Sequence, residues 1–252
     1  MNKLLIANFK MNFNAKQIDA WCHSFTENLK SPEGIMLCPP IVHIHQVGEF
    51  FRARGTKISI GAQRALSLAE GALTGEVGIS MLSGLVQYLM IGHSEQRVFL
   101  KPSAEELAAE VEQALSYGIT PILCVGDSLE QKNSGQDDQI IEDQISSAIA
   151  NLAPEQAKNI IIAYEPIWAI GSGQTPTNQQ IDTKLKLISK LLTAKISESG
   201  YVFANILYGG SVNASNIQHL NAVTGLQGYL VGGASLDAEQ FARMASLLEN
   251  AE

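Results

Sequence analysis

Glu165 ends a short apolar run in the segment I-A-Y-E-P-I-W-A-I-G-S-G-Q, residues 162–174. A proline follows at once, then an aromatic and aliphatic stretch, then Gly171, Ser172 and Gly173. That order predicts a buried strand, an acid at its carboxyl end and a glycine-bearing loop able to close over it. An apolar cover over a carboxylate makes a base, because loss of water destabilises the charged form. Four other groups stand where apolar runs end. Asn8 and Lys10, spaced i and i+2, can point to one side of an extended chain. Gly92-His93-Ser94-Glu95 offers an imidazole, with Ser94 and Glu95 able to open a helical turn beneath it. A helix N-terminus disfavours imidazolium and keeps such a ring neutral. Tyr208-Gly209-Gly210-Ser211 and Gly232-Gly233-Ala234-Ser235 offer backbone N–H groups to a phosphate. Taken singly, each has a plainer reading: a strand edge for N-x-K, a structural role for a lone histidine, simple turns for the glycine pairs.

These groups matter together only if the chain brings strand ends to one face. Eight short apolar runs recur: Leu4 to Phe9, Ile35 to Cys38, Lys57 to Gly61, Tyr88 to Gly92, Thr120 to Val125, Asn159 to Tyr164, Asn205 to Tyr208 and Gly228 to Val231. Most lack clean alternation, as strands buried on both faces do. Helical patterns follow them. Ser103 with Glu106 reads as a capping box for a helix over Ala104 to Tyr117, and Thr177 caps an amphipathic stretch from Gln179 to Ile196. Gly118 and Gly200 stand where helix ends want a left-handed residue. Eight such units predict an α/β chain, a (β/α)8 barrel forming one domain over residues 1–252. A doubly wound open sheet is the alternative. In a barrel, catalytic groups sit where strands end and loops begin.

Composition narrows the partners. The chain has 252 residues, 46% hydrophobic, with a net charge of −8. An acidic surface argues against nucleic acid and anionic membranes, though a local site can still be positive. No run approaches the roughly 18 to 20 apolar residues of a membrane span, and M-N-K-L-L-I-A-N-F-K turns polar too soon for a signal peptide. Cys22, Cys38 and Cys124 are odd in number and widely spaced, which predicts reduced, mostly buried thiols in a cytoplasmic protein. His43-x-His45 raises a metal site, but residues i and i+2 diverge near a helix start, so no metal is expected.

Taken jointly, the chain resembles the triosephosphate isomerase family along nearly its whole length. The segments that carry this are A-N-F-K-M-N (7–12), G-A-Q (61–63), G-A-L-T-G-E (71–76), I-G-H-S-E (91–95), I-L-C-V-G (122–126), A-Y-E-P-I-W-A-I-G-S-G (163–173), Y-G-G-S-V (208–212) and L-V-G-G-A-S-L (230–236). The resemblance implies a TIM barrel that interconverts dihydroxyacetone phosphate and D-glyceraldehyde 3-phosphate through an enediolate, with no metal or organic cofactor. It implies Glu165 as base, neutral His93 as electrophile, and Lys10 and Asn8 stabilising the enediolate oxygens, with Glu95 holding the Lys10 and Asn8 region. Gly171, Ser211, Gly232 and Gly233 would bind phosphate. Trp168, Pro176 and Tyr208 would belong to the hinge and latch of the closing loop. The loop 71–76 would carry Thr74 across a homodimer interface toward the partner's site.

Several positions depart from the family's usual pattern. Phe9 replaces a tryptophan, Arg64 a small polar residue, Leu73 an aromatic and Asp127 a glutamate. Gln96 and Pro102 replace an arginine and a glutamate that tend to pair. Pro176 replaces an alanine whose N–H is thought to meet the hydroxyl matching Tyr208 when the loop closes; proline has no N–H. Two other classes compete with the isomerase. A barrel lyase or epimerase would want a late Schiff-base lysine or a metal, whereas Lys10 is the only lysine at an expected catalytic strand end. A non-catalytic phosphate-binding barrel would not need Asn8, Lys10, His93, Glu95 and Glu165 together.

Overall fold

The computed structural model describes residues 3–170, 175–196 and 205–249. Eight parallel strands close into a barrel in chain order: β1 (Leu4–Asn8), β2 (Ile35–Cys38), β3 (Ser59–Ala62), β4 (Tyr88–Ile91), β5 (Thr120–Val125), β6 (Ile161–Tyr164), β7 (Ile206–Tyr208) and β8 (Gly228–Val231). The ring closes where Leu4 to Ala7 pair with Gly228 to Val231. Closure excludes the open doubly wound sheet.

Runs that look uniformly apolar divide strictly by parity. Ile6, Met36, Cys38, Met90, Ile122, Cys124, Ile161, Ala163, Leu207 and Leu230 fill the barrel interior as one cluster. Their strand neighbours, such as Leu5, Ala7, Leu37, Leu89, Ile91, Leu123, Val125, Ile162, Tyr164 and Tyr208, pack outward against the helices in a second. Both faces are therefore dry, which is why the sequence shows no polar alternation.

The outer layer includes α1 (Ala15–Asn28), α2 (Ile44–Arg52), α3 (Ile79–Leu82), α4 (Ser94–Phe99), α5 (Ala104–Ser116), α6 (Leu129–Asn133), α7 (Asp137–Ile149), α8 (Pro154–Ala157), α9 (Asn178–Ile196), α10 (Ile217–Leu220) and α11 (Ala238–Glu249). Local chemistry starts and stops them. Ser103 Oγ accepts from the Glu106 N–H while Glu106 accepts from the Ser103 N–H, the box expected for α5. Thr177 and Gln180 make the same reciprocal pair ahead of α9. Gly118 ends α5 at φ 69°, as expected, while Gly200 lies outside the described residues. Phe9 packs edge-on to Trp21, which stacks on Phe25, and Trp21 Nε1 donates to Ser235 O at 3.0 Å. The Phe9 departure is thus filled by aromatic neighbours, and α1 is tied to the loop after β8.

His43 is buried with Nε2 3.1 Å from Phe13 O, while His45 is exposed, so the two rings face different surroundings. All three cysteines are free and buried. No described helix is long and apolar enough to cross a membrane.

Candidate active site

Strand parity aims the chemistry. Along β1, Ile6 faces inward, so Asn8 does too; along β6, Ala163 faces inward, so Glu165 follows it just past the strand. On β4 the count fails. Met90 is inward, and simple alternation would send His93 outward. Gly92 adopts φ 67°, a left-handed turn that a side chain resists, and this redirects His93 into the barrel mouth.

One cavity of about 390 Å³ gathers Asn8, Lys10, His93, Glu165, Ser211, Gly232 and Gly233 on its wall, with Ile170, Gly209, Gly210 and Asn213. Glu95, Trp168, Pro176 and Tyr208 stand outside this lining, Thr74 lies on an exposed loop, and Gly171 is outside the described residues.

Glu165 is buried, and its carboxylate is held on both oxygens. Oε2 accepts from the Ser94 N–H at 2.8 Å, and Oε1 lies 3.1 Å from His93 Nε2. The Glu95 N–H, in the first turn of α4, donates to His93 Nδ1 at 3.2 Å. A ring nitrogen that accepts carries no proton, so the neutral ring must hold its proton on Nε2. Burial lowers the basicity of His93, but the neighbouring Glu165 carboxylate, with Glu95 behind it, outweighs burial and raises it in this arrangement. Asn8 Nδ2 lies 3.3 Å from Nε2, beside the ring, while Asn8 Oδ1 accepts the Lys10 N–H at 3.0 Å.

Lys10 has φ 51°, rare for a residue with a side chain. Its ammonium meets Glu95 Oε1 at 2.6 Å, and its carbonyl accepts from Gln63 Nε2 at 3.0 Å. Glu95 itself is half exposed, so this pair is partly open to solvent.

The segment around Trp168 is tied through a buried carboxylate. Asp127 accepts from Tyr164 Oη and from Trp168 Nε1, both at 3.0 Å. Burial raises the Asp127 pKa while these two donors oppose the rise. The shorter side chain at this departure still reaches both partners. Lys132 Nζ sits 3.2 Å over the Trp168 ring. Ser211 Oγ donates to Ala169 O at 2.7 Å. Tyr208 is fully buried, and its hydroxyl has no hydrogen-bond partner among the described residues.

A match to the triosephosphate isomerase family model spans residues 3–248. The chain belongs to the triosephosphate isomerase family. Triosephosphate isomerase of Colwellia psychrerythraea is 36% identical over 242 residues, 94% of each chain. That of Aquifex aeolicus is 36% identical, covering 97% of this chain and 98% of its own. That of Clostridium beijerinckii is 37% identical over 98% of this chain and all of its own.

Sequence reasoning missed three contributors. A Cβ at Gly209 would lie 2.9 Å from Glu165 Cγ, so the absence of a side chain there makes room for the acid. The Ser94 N–H holds Glu165, and Gln63 holds Lys10. Gly209 stood in a motif read for its N–H groups, and backbone donors carry no side-chain signal. Two other departures have local partners: Arg64 pairs with Glu76 at 3.2 Å, and Gln96 donates to Gln63 O at 2.7 Å.

Proposed function

We propose that this triosephosphate isomerase homologue interconverts dihydroxyacetone phosphate and D-glyceraldehyde 3-phosphate by proton transfer through an enediolate. Glu165 leaves its resting contact with Ser94 and takes a proton from the carbon beside the substrate carbonyl. His93 Nε2–H donates to the carbonyl oxygen, then shuttles a proton between the two oxygens. Glu165 returns its proton to the neighbouring carbon, so acid and base end as they began. The Lys10 ammonium and Asn8 Nδ2 offset charge on the oxygens. Glu95 anchors the Lys10 head, and Ser211, Gly232, Gly233 and Gly171 grip the phosphate.

The observation that carries this reading is the occupied Nδ1 of His93, which leaves a proton on Nε2 beside a buried carboxylate. The upward pull of Glu165 on the ring goes once that carboxylate turns to substrate, leaving burial to favour the neutral electrophile. Closing the loop after Trp168 keeps water from an intermediate that can otherwise shed its phosphate. Incubating the purified protein with glyceraldehyde 3-phosphate in deuterium oxide tests the chemistry by NMR. Product carrying solvent deuterium on carbon supports the enediolate; complete retention of hydrogen on carbon in both trioses, persisting through many turnovers, counts against it.

The same reading makes the protein a cytoplasmic homodimer joined through the 71–76 loop. In support, ten of the twelve large apolar residues exposed among the described residues fall between Met11 and Leu100, with Met11 97% and Phe99 80% exposed. Exposed apolar side chains that share a face are what a partner would cover. A monomer mass by sedimentation at micromolar concentration, with full activity, would exclude an obligatory dimer.

Closure also differs at its last step. Pro176 has no N–H, and the Tyr208 hydroxyl is left without a partner among the described residues. Closure then relies on the loop's contacts with substrate and with Ser211.

A further inference from the structure

Two consecutive residues of α4 bear on Lys10 in different ways. Glu95 accepts from its ammonium. Among the described residues Gln96 has no hydrogen bond to Lys10 and stands outside the cavity lining, but its Nε2 donates to Gln63 O at 2.7 Å. From that same residue the Gln63 side chain reaches along the rim past β2, donating to Lys10 O at 3.0 Å and to Cys38 O at 2.8 Å. The chain of contacts ends on a lysine whose backbone sits at φ 51°, a conformation that persists only when its surroundings hold it. Asn8 holds the Lys10 N–H from one side, and Gln63 is its holder on the carbonyl side.

We propose that Gln96 is a positioning residue for Lys10, acting through Gln63. The amide of Gln96 fixes the Gln63 peptide; the Gln63 side chain then fixes the carbonyl of Lys10, and so the direction in which the ammonium enters the cavity. The inference rests on the proposed function only in taking Lys10 to meet the anionic substrate. A neutral amide suits this place, since it anchors a backbone carbonyl without adding charge near Arg64, with which it lines a separate surface cavity.

The test compares Gln96→Met, which keeps the length and loses the donor, with Gln63→Met and the double variant. Three readouts are taken: kcat and KM, affinity for inorganic phosphate by NMR titration, and melting temperature with sedimentation. Gln96→Met is expected to lower kcat/KM and weaken phosphate binding together, by about threefold to tenfold for one lost hydrogen bond. Gln63→Met should do at least as much, and the double variant no more than Gln63→Met alone, because the effect of Gln96 passes through Gln63. Unchanged phosphate affinity in Gln96→Met, including with a lowered melting temperature, would overturn the relay, as would multiplicative effects in the double variant. If the parent bound phosphate but did not isomerise, the proposed function would fail while the affinities still decided the relay. A parent that bound no phosphate would overturn both.

Discussion

The rim over β1, β4 and β6 and the rim over β7 and β8 border the same cavity and are built differently. On the first, side chains do the lining, and each is held before any ligand arrives: Glu165 by Ser94 and His93, His93 by Glu95, Lys10 by Glu95, Asn8 and Gln63. On the second, Gly209, Gly210, Gly232 and Gly233 present backbone to the cavity, Ser211 Oγ donates to Ala169 O, and the adjoining Tyr208 hydroxyl has no partner among the described residues. On the proposed function, the lesson is that the electrophile and the cation are oriented in advance, the base has only to leave Ser94, and the phosphate-gripping glycines reach full use only with substrate present. Reorganising His93 and Lys10 at the moment of reaction would raise the barrier; on the same reading, finishing the second set on binding would couple closure to the presence of substrate.

The comparison can be broken most forcefully at Lys10. Lys10→Met should lower kcat/KM by about a hundred- to a thousandfold in a folded protein, the usual loss when a preorganised group facing developing charge is removed. A loss under tenfold would mean that the ammonium is not aimed at the reacting oxygens. Next is Gly209→Ala, where the added Cβ meets Glu165 Cγ. Displacing the acid should cost about tenfold to a hundredfold in kcat with a smaller change in KM. An effect on KM alone would move Gly209 from the chemical half to the gripping half.

Glu110 supplies a control away from both rims. Burial, opposed by Arg64 and helped by Glu106, raises its carboxyl to about 7 from 4.5. A carboxyl raised on folding stabilises the protein fully below its unfolded pKa, and that contribution is lost as pH rises through 4.5 to 7. Glu110→Gln should therefore gain about 1 kcal/mol on the parent between pH 5 and 8, after screening by solvent, with kcat/KM unchanged. Denaturant melts at the two pH values measure it, and a pH-independent difference contradicts the burial. The smallest effect is expected at the latch. Tyr208→Phe removes a hydroxyl without a described partner, so turnover should stay within about twofold, whereas in Pro176→Ala the same change should cost about fivefold because an N–H is available there. Equal effects in both backgrounds would show that the bond has moved rather than vanished.

Much of this was legible in the chain itself. The eight apolar runs became the eight strands with ends shifted by a residue or two, and Ser103 and Thr177 capped as their spacing required. Parity even aims Asn8 and Glu165 inward. What the sequence could not reveal was set by backbone. His93 faces the cavity because Gly92 turns left-handed, and Lys10 does so in a conformation that Gln63 maintains from the third strand's end. A left-handed residue and a long-range carbonyl contact leave no periodic trace. Gln96 illustrates the same limit: read as one of two charges lost together, it is a hydrogen-bond donor with a partner of its own.

The most direct measurement is turnover of glyceraldehyde 3-phosphate by the purified parent beside Glu165→Ala, with folding and sedimentation checked for both. The expected result is fast isomerisation that falls by about a thousandfold or more in the variant, the loss that follows removal of the buried carboxylate proposed as the base. An active parent whose Glu165→Ala variant keeps most of that activity would contradict the assignment of Glu165. An inactive parent that is folded and dimeric would contradict the isomerase reading itself.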